Sequence, residues 1–112
     1  MTSAPYTDPK ESPYDLYSIG HTSTSVDLAI GMAKARDILG GKEHVVGIIG
    51  DGSLSGGMAL EGLNVAGEME SPLILVLNDN NQSIAENHGG LYKKLRELRE
   101  TNGEAKDNIF RG

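Results

Sequence analysis

Residues 44–52 read His44-Val45-Val46-Gly47-Ile48-Ile49-Gly50-Asp51-Gly52, and residues 72–80 read Pro72-Leu73-Ile74-Leu75-Val76-Leu77-Asn78-Asp79-Asn80. Each stretch is a short apolar run that ends abruptly in turn-forming polar residues. Residues apolar at consecutive positions, rather than alternate ones, have the pattern of a parallel strand covered on both faces. Strands are therefore predicted over residues 44–49 and 73–77. The segment between them has room for one helix, beginning near Ser55 or Gly56, with Ala59, Leu63, Ala66 and Met69 on its inner side. Upstream, Ser23 to Leu39 reads as a helix. Val26, Ala29, Ile30 and Ala33 share one face, Thr24 with Asp27 resembles a capping signal, and Gly40-Gly41 supplies the stop. Downstream, a helix over about Gly89 to Glu100 places Leu91, Leu95 and Leu98 on one stripe, and Asn102-Gly103 ends it. The order helix, strand, helix, strand, helix predicts an α/β layer on a parallel sheet, with a right-handed crossover between the strands. Two strands are too few to stand alone.

In open parallel sheets, ligands gather at the carboxyl ends of strands. Gly50-Asp51-Gly52 lies at one such end and Asn78-Asp79-Asn80 at the other. One crossover separates them, so Asp51 and Asn80 are expected to reach a common point. A carboxylate and a carboxamide are oxygen donors that suit Mg²⁺, an ion that shares its sphere with phosphates and water. The glycines beside Asp51 let backbone approach a phosphate. The N–H groups near Gly52 and Ser53 open a helix, where anions are favoured. These residues together predict a diphosphate bridged to the protein by Mg²⁺. Read separately, each motif is also an ordinary turn. Their shared position after two apolar strands favours the site. Asn81-Gln82-Ser83 matches a glycosylation acceptor and is read as a chance match.

The net charge is −6 and no cysteine is present. The charge opposes a nucleic-acid partner, which needs a basic patch. The one basic cluster, Lys93, Lys94, Arg96 and Arg99, is interleaved with Glu97 and Glu100 and reads as a solvated helix face. Without cysteine there is neither a disulfide nor a thiolate metal site. No apolar run approaches the roughly 18 residues of a membrane span, and residues 1–13 lack the apolar segment of a signal peptide. A cytoplasmic location is the resulting expectation. Pro5, Pro9 and Pro13 fall within residues 1–19, which are expected to form an irregular entry segment.

Gly20-His21-Thr22-Ser23-Thr24-Ser25, Ile49-Gly50-Asp51-Gly52, Gly57-Met58-Ala59, Glu61-Gly62-Leu63-Asn64, Ala66-Gly67 and Leu77-Asn78-Asp79-Asn80 together resemble the 1-deoxy-D-xylulose-5-phosphate synthase family of transketolase-like thiamine-diphosphate enzymes. Ser83-Ile84 and Glu86-Asn87 extend the resemblance, which covers roughly Tyr14 to Gly103. It implies that residues 20–112 form part of the domain that holds the diphosphate of thiamine diphosphate. Asp51 and Asn80 would ligate Mg²⁺, with Gln82 adding its backbone carbonyl where the family often carries Met. Gly52, Ser53 and Asn80 would contact the cofactor from the strand ends. Gly20, His21 and Thr22 would contact it from the loop before the first helix. The implied reaction is the decarboxylative condensation of pyruvate with glyceraldehyde 3-phosphate, at the head of isoprenoid and thiamine synthesis, in a homodimer.

The family's pyrimidine-binding domain, with its activating glutamate, has no match here. Glu61, Glu68 and Glu86 do not take that role. No catalytic residue is therefore assigned, and the 112 residues alone are expected to be inactive. His88 is a candidate for the substrate side of the site, and His44 reads as structural. The alternatives are a subunit of a split transketolase-like enzyme, or a non-catalytic module that binds thiamine diphosphate.

Overall fold

The computed structural model of the chain describes residues 5–80 and 87–110. Its elements are α1 (Ser25–Leu39), β1 (Val46–Gly50), α2 (Asp51–Leu54), α3 (Gly57–Glu68), β2 (Ile74–Asn78) and α4 (Gly90–Glu100). The fold is α/β, with β1 and β2 in a two-stranded parallel sheet flanked by helices.

α1 buries Val26, Ala29, Ala33 and Arg36, one stripe at helical spacing. Small residues bring it close to the sheet. A Cβ at Gly47 would sit 3.0 Å from Ala29 Cβ and 2.9 Å from Leu75 Cδ2, so strand and helix meet there only because residue 47 is glycine. Gly40 ends the helix in the left-handed region at φ 69°, and the Gly41 N–H returns to Arg36 O. The expected capping role of Thr24 is not seen. Its hydroxyl donates backward to His21 O, and no side chain caps α1.

Two expectations need correction. The single helix expected near Ser55 is instead a turn of helix beginning at Asp51, then α3. The strands, read as covered on both faces, are covered on one. Gly47 and Ile49 of β1 are buried, and Leu75 and Leu77 of β2 pack on the core of Val26, Ile49, Leu54, Ala59 and Leu95. The opposite face presents Val46, Ile48, Ile74 and Val76 at 42–64% exposure, in two directly opposed pairs. His44, read as opening the strand, is exposed and precedes it.

α4 closes the core through Leu95, with Leu91 and Tyr92 beside it. Asn102 (φ 51°) and Gly103 (φ 87°) end it, and the Gly103 N–H reaches Leu98 O. The following segment folds back, with Asn108 donating to Lys94 O and Phe110 packing on the core.

Fully burying a Val or Ile side chain is worth about 1.5–3 kcal/mol, so four half-exposed ones leave a sizeable driving force unused. Static light scattering is expected to give an apparent mass that rises with concentration above 11.9 kDa. Ile48→Ser with Val76→Thr is expected to lower it. A strict monomer at all concentrations would contradict this expectation.

Candidate functional site

The pairing register places Gly50 opposite Asn78, so both strands finish at the same end of the sheet. Asp51 follows β1 immediately, and Asp79 and Asn80 follow β2. The two polar strand ends therefore lie at one end of the sheet.

Asp51 is 4% exposed. Its Oδ1 accepts the Gly52 N–H at 2.9 Å, and its Oδ2 accepts Asn87 Nδ2 at 3.2 Å. Both donors are neutral, and among the described residues no cationic side chain pairs with this carboxylate. A buried carboxylate is costly unless a positive charge or several hydrogen bonds compensate it. Asp79 has the opposite setting. Arg99 Nη1 contacts both of its oxygens, at 2.5 and 2.6 Å. The chain neutralises Asp79 internally and leaves Asp51 with neutral donors. Among the described residues no three His, Asp or Glu side chains form a group that could hold a metal ion.

The turn after β1 is gripped from two sides. Ser23, just before α1, donates its hydroxyl to Ser53 O at 2.7 Å. Tyr92 of α4 donates to Asp51 O at 3.3 Å and lies 3.4 Å from Gly52 O. The loop of Gly20, His21 and Thr22 is thereby tied, through Ser23, to the Asp51–Ser53 turn. His21 and Thr22 are exposed, and His21 Nδ1 makes a local contact of 2.7 Å with Thr22 O. With Thr24, Asp27, Leu28 and Met58, His21 lines a cavity of about 320 Å³. Asp27 Oδ2, beside it, is buried without a hydrogen-bond partner. A larger apolar opening of about 450 Å³, between residues 14–19 and β1, contains none of the candidate residues.

The structure thus brings together Asp51, Gly52 and Ser53 with the end of β2 and the Ser23 loop. Asn80 lies just beyond β2 and is exposed. Gln82, and the acceptor match Asn81-Gln82-Ser83, lie outside the described residues. His88 is exposed. The Gly52 N–H, expected to face a phosphate, is occupied by the Asp51 carboxylate. Arg99, read as part of a solvated face, is half-buried against Asp79. Asn87, Tyr92 and Ser23 were not singled out as site residues. Asn87 and Tyr92 reach Asp51 from 36 and 41 positions away, a separation no local pattern encodes.

The model of the family described as 1-deoxy-D-xylulose-5-phosphate synthase, covering its N-terminal part, matches residues 3–108. The chain is 54% identical over 89 residues to a 1-deoxy-D-xylulose-5-phosphate synthase of Clostridium kluyveri, covering 80% of the chain and 14% of that relative. It is 57% identical over 82 residues to the synthase of Syntrophotalea carbinolica, covering 73% and 13%. It is 52% identical over 93 residues to that of Thermus thermophilus, covering 83% and 15%. The chain spans about one-seventh of the length of these relatives.

Proposed function

Because the chain belongs to the 1-deoxy-D-xylulose-5-phosphate synthase family, we propose that it supplies the diphosphate and Mg²⁺ site of a thiamine-diphosphate enzyme that condenses pyruvate with glyceraldehyde 3-phosphate. The observation that carries this reading is Asp51, a buried carboxylate at a strand's carboxyl end whose described partners are all neutral. A divalent cation is the complement such a group lacks.

The residues present fit the group. Asp51 and Asn80 would hold Mg²⁺, with the backbone carbonyl of Gln82, which lies outside the described residues, as the further ligand the resemblance implies. Gly52 and Ser53 offer backbone N–H groups to the diphosphate. The Gly52 N–H, which here bonds Asp51 Oδ1, would serve the diphosphate instead and leave that carboxylate oxygen available to the cation. Gly20, His21 and Thr22 would contact the cofactor from the loop tied to this turn through Ser23. Thiamine diphosphate, when bound, supplies the electron sink for decarboxylating pyruvate. The chain's own residues bind and orient, and none is assigned a role at the reacting atoms. Turnover is proposed to need a pyrimidine-binding part, which the family resemblance implies and these residues do not match, in a cytoplasmic homodimer. The exposed sheet face supports a further packing partner.

The test is calorimetric titration of the chain with thiamine diphosphate. Binding heat is expected with Mg²⁺ and its loss with a chelator. Equal affinity with and without Mg²⁺ would refute the metal assignment, and no binding in either condition would refute the site.

A further inference from the structure

We infer that Ser23 is a positioning residue that clasps the Gly20–Thr22 loop onto the Asp51–Ser53 turn and so sets the spacing between the two groups of cofactor contacts. The inference deepens the proposed function and takes its ligand from that reading.

Ser23 holds φ 69°, a conformation uncommon for a residue with a Cβ and sustained only where the surroundings dictate it. Its hydroxyl spends its proton on Ser53 O at 2.7 Å, across 30 positions of sequence. The same carbonyl accepts the Gly56 N–H at 3.2 Å. Gly56 makes the approach possible. A Cβ there would stand 2.2 Å from Ser23 Oγ and 2.4 Å from Ser23 Cβ. An unusual backbone angle, a short hydrogen bond and an obligatory glycine thus converge on one contact. α1 and α3 already meet elsewhere, at Gly62, where an added Cβ would lie 2.9 Å from Val26 Cγ1. Holding the helices together therefore does not depend on Ser23. What the contact adds is a fixed relation between a loop with exposed His21 and Thr22 and the turn bearing Asp51.

Ser23→Ala deletes the hydroxyl, and Ser23→Gly deletes it while relieving the backbone angle. Both are compared with the unaltered chain for Mg²⁺-dependent binding of inorganic pyrophosphate and of thiamine diphosphate. Pyrophosphate needs the Asp51–Ser53 turn and the proposed Mg²⁺ ligands but not the Gly20–Thr22 loop, whereas thiamine diphosphate also spans to that loop. The expected result is about a tenfold loss for thiamine diphosphate with pyrophosphate changed less than about twofold, a split that general destabilisation does not produce. Equal losses for both ligands, or none, would overturn the inference, as would failure of both variants to fold. Amide exchange without ligand separates this outcome from failure of the proposed function. If the unaltered chain binds neither ligand, that reading fails. The clasp still requires faster exchange at Gly56 and at Thr22–Thr24 in the variants, with β1 and β2 unchanged; unaltered exchange there would overturn it.

Discussion

Asp51→Asn is expected to abolish Mg²⁺-dependent binding of thiamine diphosphate and, without ligand, to leave the fold as stable or raise its Tm. Both effects have the same cause. The carboxylate is 4% exposed and its described partners, the Gly52 N–H and Asn87, are neutral. Asparagine keeps the Oδ1 acceptor for Gly52, and Asn87 can rotate to present its own oxygen. The substitution thus removes a buried charge while retaining its hydrogen bonds, which is neutral or favourable for folding. With Asp51 as the charged ligand of the proposed cation, its removal is expected to weaken Mg²⁺-dependent affinity about 100-fold or more, about 2.8 kcal/mol at 1.4 kcal/mol per tenfold. Calorimetry and thermal unfolding of the same variant check the two halves. A marked fall in Tm with unchanged affinity would make Asp51 a structural carboxylate and end its metal role. Asp79→Asn is the contrast. Arg99 already neutralises Asp79, so its replacement is expected to lower stability and to spare the Mg²⁺ dependence.

Such opposed signs are typical of a functional site in a fold otherwise locally consistent. Much of the scaffold was legible for that reason. The β-branched run ending in Gly50 and the aliphatic run ending in Asn78 are what a parallel pair requires. The Val26, Ala29, Ala33 stripe is what a helix packed on that pair requires. The glycines at 40 and 103 adopt positive φ where the stops were read. What escaped the sequence depends on distance or on missing neighbours. A strand apolar on both faces does not reveal whether both are covered within the same 112 residues, and here Val46 and Ile48 are not. Serine carries no signal for φ 69°, so Ser23 passed as the start of a helix. Tyr92 sits beside the leucine stripe of α4 and is indistinguishable by pattern from a core aromatic, yet its hydroxyl reaches Asp51 O. The candidate site at the strand ends could be proposed from sequence because its residues are local to two turns. Its supports could not, because they come from α4 and from the segment before α1.

Arg36 is the clearest residue that pattern alone misplaces, and replacing it is expected to give the largest loss of stability. It lies on the buried stripe of α1, 9% exposed. Its guanidinium donates to Glu43 O at 3.0 Å, to Pro72 O at 2.9 Å, to Ser71 Oγ at 2.9 Å and twice to Asp37 Oδ1. One side chain thus fastens the end of α1 to the segments that lead into both strands. Arg36→Met keeps the aliphatic stem and removes every donor. Hydrogen bonds from a charged donor contribute about 1.5–3 kcal/mol each, and such contributions do not add fully. A net loss of about 2–4 kcal/mol is expected, or a fall of about 10–25 °C in Tm for a domain of this size. Thermal unfolding by circular dichroism measures it, and a shift under about 5 °C would show that water replaces the guanidinium without penalty. The pH response gives an independent check. The Ser71 hydroxyl, and then the Arg36 guanidinium, hold the Asp37 carboxyl below its ordinary value of 3.8. A carboxyl lowered on folding stabilises the fold fully above its unfolded value, and the gain disappears as pH falls through the folded one. The Tm advantage of the unaltered chain over Asp37→Asn is therefore expected to be constant above about pH 5 and to shrink from about pH 4 downward. In Arg36→Met the second cause of that lowering is gone, so the advantage is expected to be smaller throughout and to vanish at a higher pH. An identical pH profile in the two backgrounds would show that Ser71 alone lowers the Asp37 carboxyl.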